Sequence, residues 1–185
     1  MKKIQTPLTK EILSTLEVGE KILLSGVIYT GRDAAHKRLI KSLEDNKNAP
    51  FQLEGQLIYY VGPTPTPEGA IIGSAGPTTS YRMDEFTPTL LDKGILGTVG
   101  KGKRSDYVIE SIKNNGAVYF AAVGGTAALM AECVKKCEVI AYEDLGTEAI
   151  RRLEVEDMPL IVAVSSKGED YYKLGRKNYL EMKSR

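Results

Sequence analysis

Apolar positions along the chain fall into short runs separated by polar, glycine-containing turns, and the spacing inside each run predicts its secondary structure. KILLSGVIYTG, residues 21–31, is β-branched and apolar and closes on Gly31, which predicts a strand. Asp33 then stands where an N-cap is needed for RDAAHKRLIKSLEDN, in which Ala35, Leu39, Ile40 and Leu43 recur at helical spacing while Lys37, Lys41, Glu44 and Lys47 fall opposite. One face of that helix is expected to be buried. QLIYYVG predicts a strand over 56–61, halted by Pro63, Pro65 and Pro67, whose fixed φ imposes an extended loop. AIIGSA predicts another strand at 70–75, followed by a turn at Gly76-Pro77 and a helical region ending at Gly94, with Pro88 opening a helical turn.

Further apolar runs alternate with helical patterns: ILGTVG with SDYVIESIKNNG, AVYFAAVG with TAALMAECVKKC, then EVIAYED and MPLIVAVSS near Pro159. These runs are short and continuous, as in strands covered on both faces. The pattern is that of an α/β protein with a mixed sheet covered by helices, and one domain over 1–185. Cys133 and Cys137 fall four apart on a predicted helix, and the tail from Lys167, with Tyr171, Tyr172 and Tyr179, predicts a surface helix or an arm lying on a partner.

Charge narrows the choice of partners. With 25 Lys+Arg against 24 Asp+Glu in 185 residues, the chain carries no basic excess to neutralise a nucleic-acid backbone or an anionic membrane. The first residues are polar after two lysines, and no run approaches a membrane span, so the expected location is the cytoplasm. Two cysteines do not make a disulfide framework, and free thiols are expected.

Four polar clusters follow apolar runs: GRDAAH (31–36), GPTTSYR (76–82), GKGKRS (100–105) and GGTAA (124–128). Ligands collect at the carboxyl ends of strands in α/β sheets. The first three clusters and the helix beside them offer Arg32, His36, Arg38, Arg82, Lys101, Lys103 and Arg104. Guanidinium groups fork onto carboxylates, so Arg32 and Arg82 could hold the two ends of a small dicarboxylate, with Lys101 as a point charge. Each residue also has a plainer reading: the cations as solvated surface groups, His36 as a hydrogen-bonded structural histidine beside Asp33, and Thr78, Thr79 or Ser80 as an N-cap. GGTAA lacks the full G-x-G-x-x-G fingerprint, which excludes a dinucleotide site there, and two thiols complete neither a zinc site nor an iron–sulfur cluster.

GRDAAHKRL, GPTTSYRMDEFTPTLLDKG, GKGKRS and VYFAAVGGTAALMAECVK, with AYEDLGTEAIRRLEVEDMPLIVAVSSKG, resemble the β subunit of class I fumarate hydratases and L(+)-tartrate dehydratases over nearly the whole chain. The resemblance implies a swivelling β/β/α fold and an active site completed by an α subunit that carries a [4Fe-4S] cluster, with no metal bound by this chain. By position, Arg32, Arg82 and Lys101 match residues that contact substrate carboxylates. Thr78 matches the proposed base for the C3 proton of malate. Asp33, His36 and Thr79 would line the cavity or orient Arg32. Ser80-Tyr81 stand where single-chain members often have Ala-Gly. The implied activity is reversible hydration of fumarate to L-malate, with tartrate dehydration to oxaloacetate as the close variant. A dicarboxylate-sensing module and a structural adaptor for the α subunit are the readings from other classes. In isolation the chain is expected to expose its partner-facing surface and to self-associate as a homodimer.

Overall fold

A computed structural model describes residues 1–122, 127–175 and 179. The strands are β1 (Lys2–Gln5), β2 (Lys21–Thr30), β3 (Leu57–Tyr59), β4 (Gly97–Gly100), β5 (Val118–Ala121), β6 (Val134–Ala141) and β7 (Ile150–Val164). The helices are α1 (Lys10–Ser14), α2 (Asp33–Glu44), α3 (Thr87–Asp92), α4 (Asp106–Asn115) and α5 (Ala127–Glu132), with 3-10 turns at Ser80–Met83 and Glu143–Glu148.

All seven strands form one mixed sheet in the order β1-β2-β3-β4-β5-β7-β6. β1 to β5 pair in parallel, while β7 runs antiparallel to β2, β5 and β6. Because β7 pairs with β2 as well as with β5, the ladder β2-β3-β4-β5-β7 closes into a ring, which leaves few unpaired edges. Tyr59, Tyr60, Tyr119, Phe120, Leu24, Ile28 and Leu57 are fully buried in the core around it.

The predicted helices at α2 and α4 are present, and α4 ends on Gly116 in the left-handed conformation that glycine alone adopts without penalty. Ala35 and Leu39 of α2 are buried, with Ile40 and Leu43 packed against the core.

Four expectations are corrected. Residues 70–75 form no strand: they fold back on the proline loop, Thr64 N–H donating to Ser74 O and Ser74 N–H to Thr64 Oγ1, and no ladder builds on two such bonds. The helix at 127 ends at Glu132, and Cys137 lies on β6, because pairing with β7 satisfies that backbone. Both cysteines are partly buried and free. The last strand begins at Ile150, nine residues before Pro159, and its Leu153, Val155 and Met158 are buried between exposed or half-buried neighbours rather than in a continuous apolar run. Finally, the N-cap of α2 is Arg32, in an extended conformation without a side-chain cap of its own, and Asp33 is the first helical residue. Of the C-terminal tail, residues 171–175 are helical.

Candidate functional site

The site is assembled where parallel strands end. After Tyr60 and Val99 the paths of β3 and β4 part, and the segment Pro77–Ser80 threads between them: Thr78 N–H donates to Tyr60 O, Lys101 N–H to Thr78 O, and Ser80 N–H to Lys101 O. Thr79 and Lys101 form a parallel bridge. Ser80 is fully buried, its hydroxyl 2.9 Å from that of Tyr119, and Tyr119 donates onward to Gly102 O.

Thr78 faces Arg82. Arg82 Nη2 donates to Thr78 Oγ1 at 3.0 Å and lies 3.1 Å from Asp33 Oδ2. Arg32 approaches the same Asp33 oxygen from the other side, its Nε 3.9 Å away. Two guanidinium groups from different segments therefore converge on one carboxylate oxygen. Arg32 Nε and Asp33 Oδ2 are both buried, and neither completes a hydrogen bond. The Arg82 ion pair offsets only part of what these two unmade hydrogen bonds cost. Gly62 keeps the crevice open, because a Cβ there would stand 2.8 Å from Arg32 Nη1.

His36 is 2% exposed and lies against the edge of Tyr60 and the face of Phe86. Its Nδ1 is 2.8 Å from Arg32 O, and since a carbonyl only accepts, Nδ1 carries the proton. Nε2 is buried without a partner. Burial holds the imidazole neutral, from its ordinary 6.5 down to about 4, against the opposing pull of the Arg32 carbonyl. His36 thus holds the Arg32 backbone and presents no charge.

The remaining expected cations separate. Lys101 is tied by its backbone to Thr78, but its side chain borders a cavity of about 210 Å³ with Ala122, Ile161, Tyr171 and Tyr172, and its ammonium makes no ion pair among the described residues. Arg38 forks onto Asp144 at 2.7 and 2.8 Å. Lys103 is exposed. Arg104 is not available to an anion: its side chain is fully buried, Nε donates to Asp84 Oδ1 at 2.6 Å and Nη2 to Thr87 Oγ1 at 2.6 Å, and its guanidinium lies 5.0 Å from the Tyr119 ring centre. Asp84 Oδ2 also accepts from Ser105 N–H at 2.8 Å. Arg104 Nη1 is also 3.4 Å from the buried Tyr60 hydroxyl. None of Thr78, Thr79 and Ser80 caps a helix: Thr79 is at the N-cap of the Ser80–Met83 turn without a side-chain bond. Gly124, Gly125 and Thr126 of the fourth cluster lie outside the described residues.

Sequence reasoning missed Glu148, whose carboxylate reaches both Arg32 and the α2 N-terminus, and Gly62. Glu148 lies inside the long AYEDLGTEAIRR stretch, with no local signal to single it out. Among the described residues no three His, Cys, Asp or Glu side chains gather to hold a metal, and no helix there is long and apolar enough to cross a membrane.

These features define the class: a mixed α/β chain with a cationic crevice at the carboxyl ends of its parallel strands. The chain belongs to the Fumarase C-terminus family, whose model matches residues 2–175. It is 39% identical to the aerobic class I fumarate hydratase of Escherichia coli strain K12 over 169 residues, 89% of this chain but 31% of that protein. It is 38% identical to a putative L(+)-tartrate dehydratase subunit beta of Methanocaldococcus jannaschii over 180 residues, 94% of this chain and 92% of that one. A fumarate hydratase of Leishmania major is 36% identical over 165 residues, 29% of its length. The chain thus spans about a third of the fumarate hydratases it matches and nearly all of the tartrate dehydratase subunit.

Proposed function

We propose that this chain is the β subunit of a heteromeric hydro-lyase that interconverts fumarate and L-malate, a single swivelling β/β/α domain working in the cytoplasm. The observation that carries this reading is the convergence of Arg32 and Arg82 on one carboxylate oxygen, with Thr78 bonded to the same Arg82 nitrogen. In that arrangement Asp33 stands in for a substrate carboxylate. A dicarboxylate displaces it, taking the guanidinium groups through charge-assisted hydrogen bonds.

The chemistry asked of this chain is to hold the carboxylates and to move one proton. When water leaves malate, the C3 proton goes to Thr78 Oγ1, which accepts it only as the alkoxide, and the Arg82 cation 3.0 Å away favours that form. Negative charge then spreads onto the adjacent carboxylate, where a guanidinium already in place stabilises it more than it stabilises the resting substrate. The Thr79–Lys101 bridge fixes the backbone that presents Thr78, and in this reading the Lys101 side chain, which borders the neighbouring cavity with Tyr171 and Tyr172, serves as a point charge when it turns toward the substrate. A [4Fe-4S] cluster belongs to the α subunit in this reading and supplies the Lewis acid for the leaving hydroxyl.

A second reading, the L(+)-tartrate dehydratase β subunit, is favoured by the near full-length match to a chain of that name. Anaerobic affinity purification of the chain from its host, with iron and sulfide analysis and parallel malate and L-tartrate assays, tests both. Co-elution of an iron–sulfur protein with hydro-lyase activity supports the heteromer, and the faster substrate selects the reading. An iron-free chain that binds fumarate alone overturns both in favour of a dicarboxylate sensor.

A further inference from the structure

We propose that Glu148 is the positioning residue for Arg32; this rests on the reading of Arg32 as a carboxylate-binding group. Glu148 Oε2 accepts from Ala34 N–H at 2.9 Å and Oε1 lies 3.5 Å from Arg32 Nη2. One carboxylate therefore does two jobs. It caps the N-terminus of α2, which Arg32 as N-cap leaves without a side-chain acceptor, and it fixes one end of the Arg32 guanidinium. Both side chains are about three-quarters buried, at 24% and 25% exposure, where an ion pair is less screened than at the surface.

The segment that presents Glu148 is built to hold it there. Gly146 adopts φ 58°, ψ −112°, inside the Glu143–Glu148 turn, a conformation closed to other residues. Arg151 donates to Gly146 O at 2.9 Å and Thr147 O at 3.1 Å, Thr30 Oγ1 ties Ala149 O and Arg151 N–H to the end of β2, and Arg38 forks onto Asp144 at the other end. Thr147 O and Gly62 flank Arg32. The guanidinium is thus gripped through Nη2, while Nε keeps a free donor turned toward Asp33.

Glu148→Gln and Glu148→Ala separate aiming from capping. Glutamine keeps an oxygen for Ala34 N–H but removes the charge on Arg32; alanine removes both. In the assembled enzyme Glu148→Gln is expected to raise KM for the dicarboxylate about tenfold, the scale of one charge-assisted contact, with kcat within about twofold. Unchanged KM in Glu148→Gln, beside a destabilised Glu148→Ala, reduces Glu148 to a helix cap and overturns the proposal. If the wild-type assembly lacks hydro-lyase activity, the functional reading fails by itself and a second measurement still decides. By 15N relaxation of the full chain, the order parameter at Arg32 Nε should fall in Glu148→Gln while Ala34 N–H stays protected from exchange. An Arg32 side chain equally ordered in the variant overturns the proposal.

Discussion

Arg82 Nη2 is shared between the hydroxyl of Thr78, 3.0 Å away, and the carboxylate of Asp33, 3.1 Å away. Arg82 lies four residues after Thr78, on the Ser80–Met83 3-10 turn, so the cation and the hydroxyl are set against each other by local geometry, and Asp33 joins them from α2. Arg82→Ala in the assembled enzyme should lower kcat/KM by about a thousandfold or more, with assembly intact because the Arg82 side chain is 37% exposed. Arg82→Lys should recover little, since an ammonium cannot fork. Near-wild-type turnover in Arg82→Ala removes Arg82 from the chemistry.

Gly62 tests the crevice without touching a charge. A Cβ at this position would stand 2.8 Å from Arg32 Nη1 and 3.2 Å from Thr147 O. Because the Thr147 backbone cannot yield as easily as the arginine, Gly62→Ala should displace Arg32. The expected outcome is a KM raised about tenfold with the denaturation midpoint nearly unchanged. Wild-type KM would show that Arg32 does not depend on that gap.

His36 gives the fold an acid-sensitive component. Its folded value of about 4 lies below the ordinary 6.5, so between these pH values the unfolded chain binds the proton that the folded chain refuses. Its stability contribution is complete above pH 6.5 and is lost as pH falls toward 4, by about 3 kcal/mol in all. Urea denaturation of wild type and His36→Gln at pH 7 and pH 4 should show the wild type losing more stability by roughly that amount. Parallel curves would mean that another group carries the acid response.

The Arg104–Asp84 pair makes the opposite kind of claim, that a cation near the crevice never meets the ligand. Arg104→Met leaves Asp84, 4% exposed, without its counter-ion, a loss of about 3–5 kcal/mol. The double variant Arg104→Met/Asp84→Leu should recover part of that loss in thermal denaturation. A single-variant loss below about 1 kcal/mol would show that the fold does not depend on the pair.

What was legible in the sequence was local. The apolar face of α2, the left-handed stop at Gly116 and the proline loop follow from spacing and backbone chemistry, and the structure has all three. What was misread depends on distant partners. The stretch after Glu132 reads as helix until β7 is there to pair with it, and the half of β7 before Pro159 escapes the apolar-run pattern, although Leu153 and Val155 already alternate with charged residues. Arg104 stands beside Lys101 and Lys103 in sequence and looks like their companion, yet its environment is set by Asp84, twenty residues earlier. Glu148 acts on α2 from more than a hundred residues away, which no local pattern announces.

The side chains around the crevice also settle a question of electroneutrality. Arg32 and Arg82 bring two positive charges, Asp33 and Glu148 bring two negative ones, and the buried Arg104–Asp84 pair cancels itself, while Lys101 borders the neighbouring cavity. A dianion entering such a surround finds no net positive charge waiting. Closing water out around it without a further cation would strand negative charge in a medium that tolerates it poorly. The crevice on this chain is therefore already neutral before a dicarboxylate enters, and the compensating charge has to arrive from Lys101 or from whatever surface closes over it.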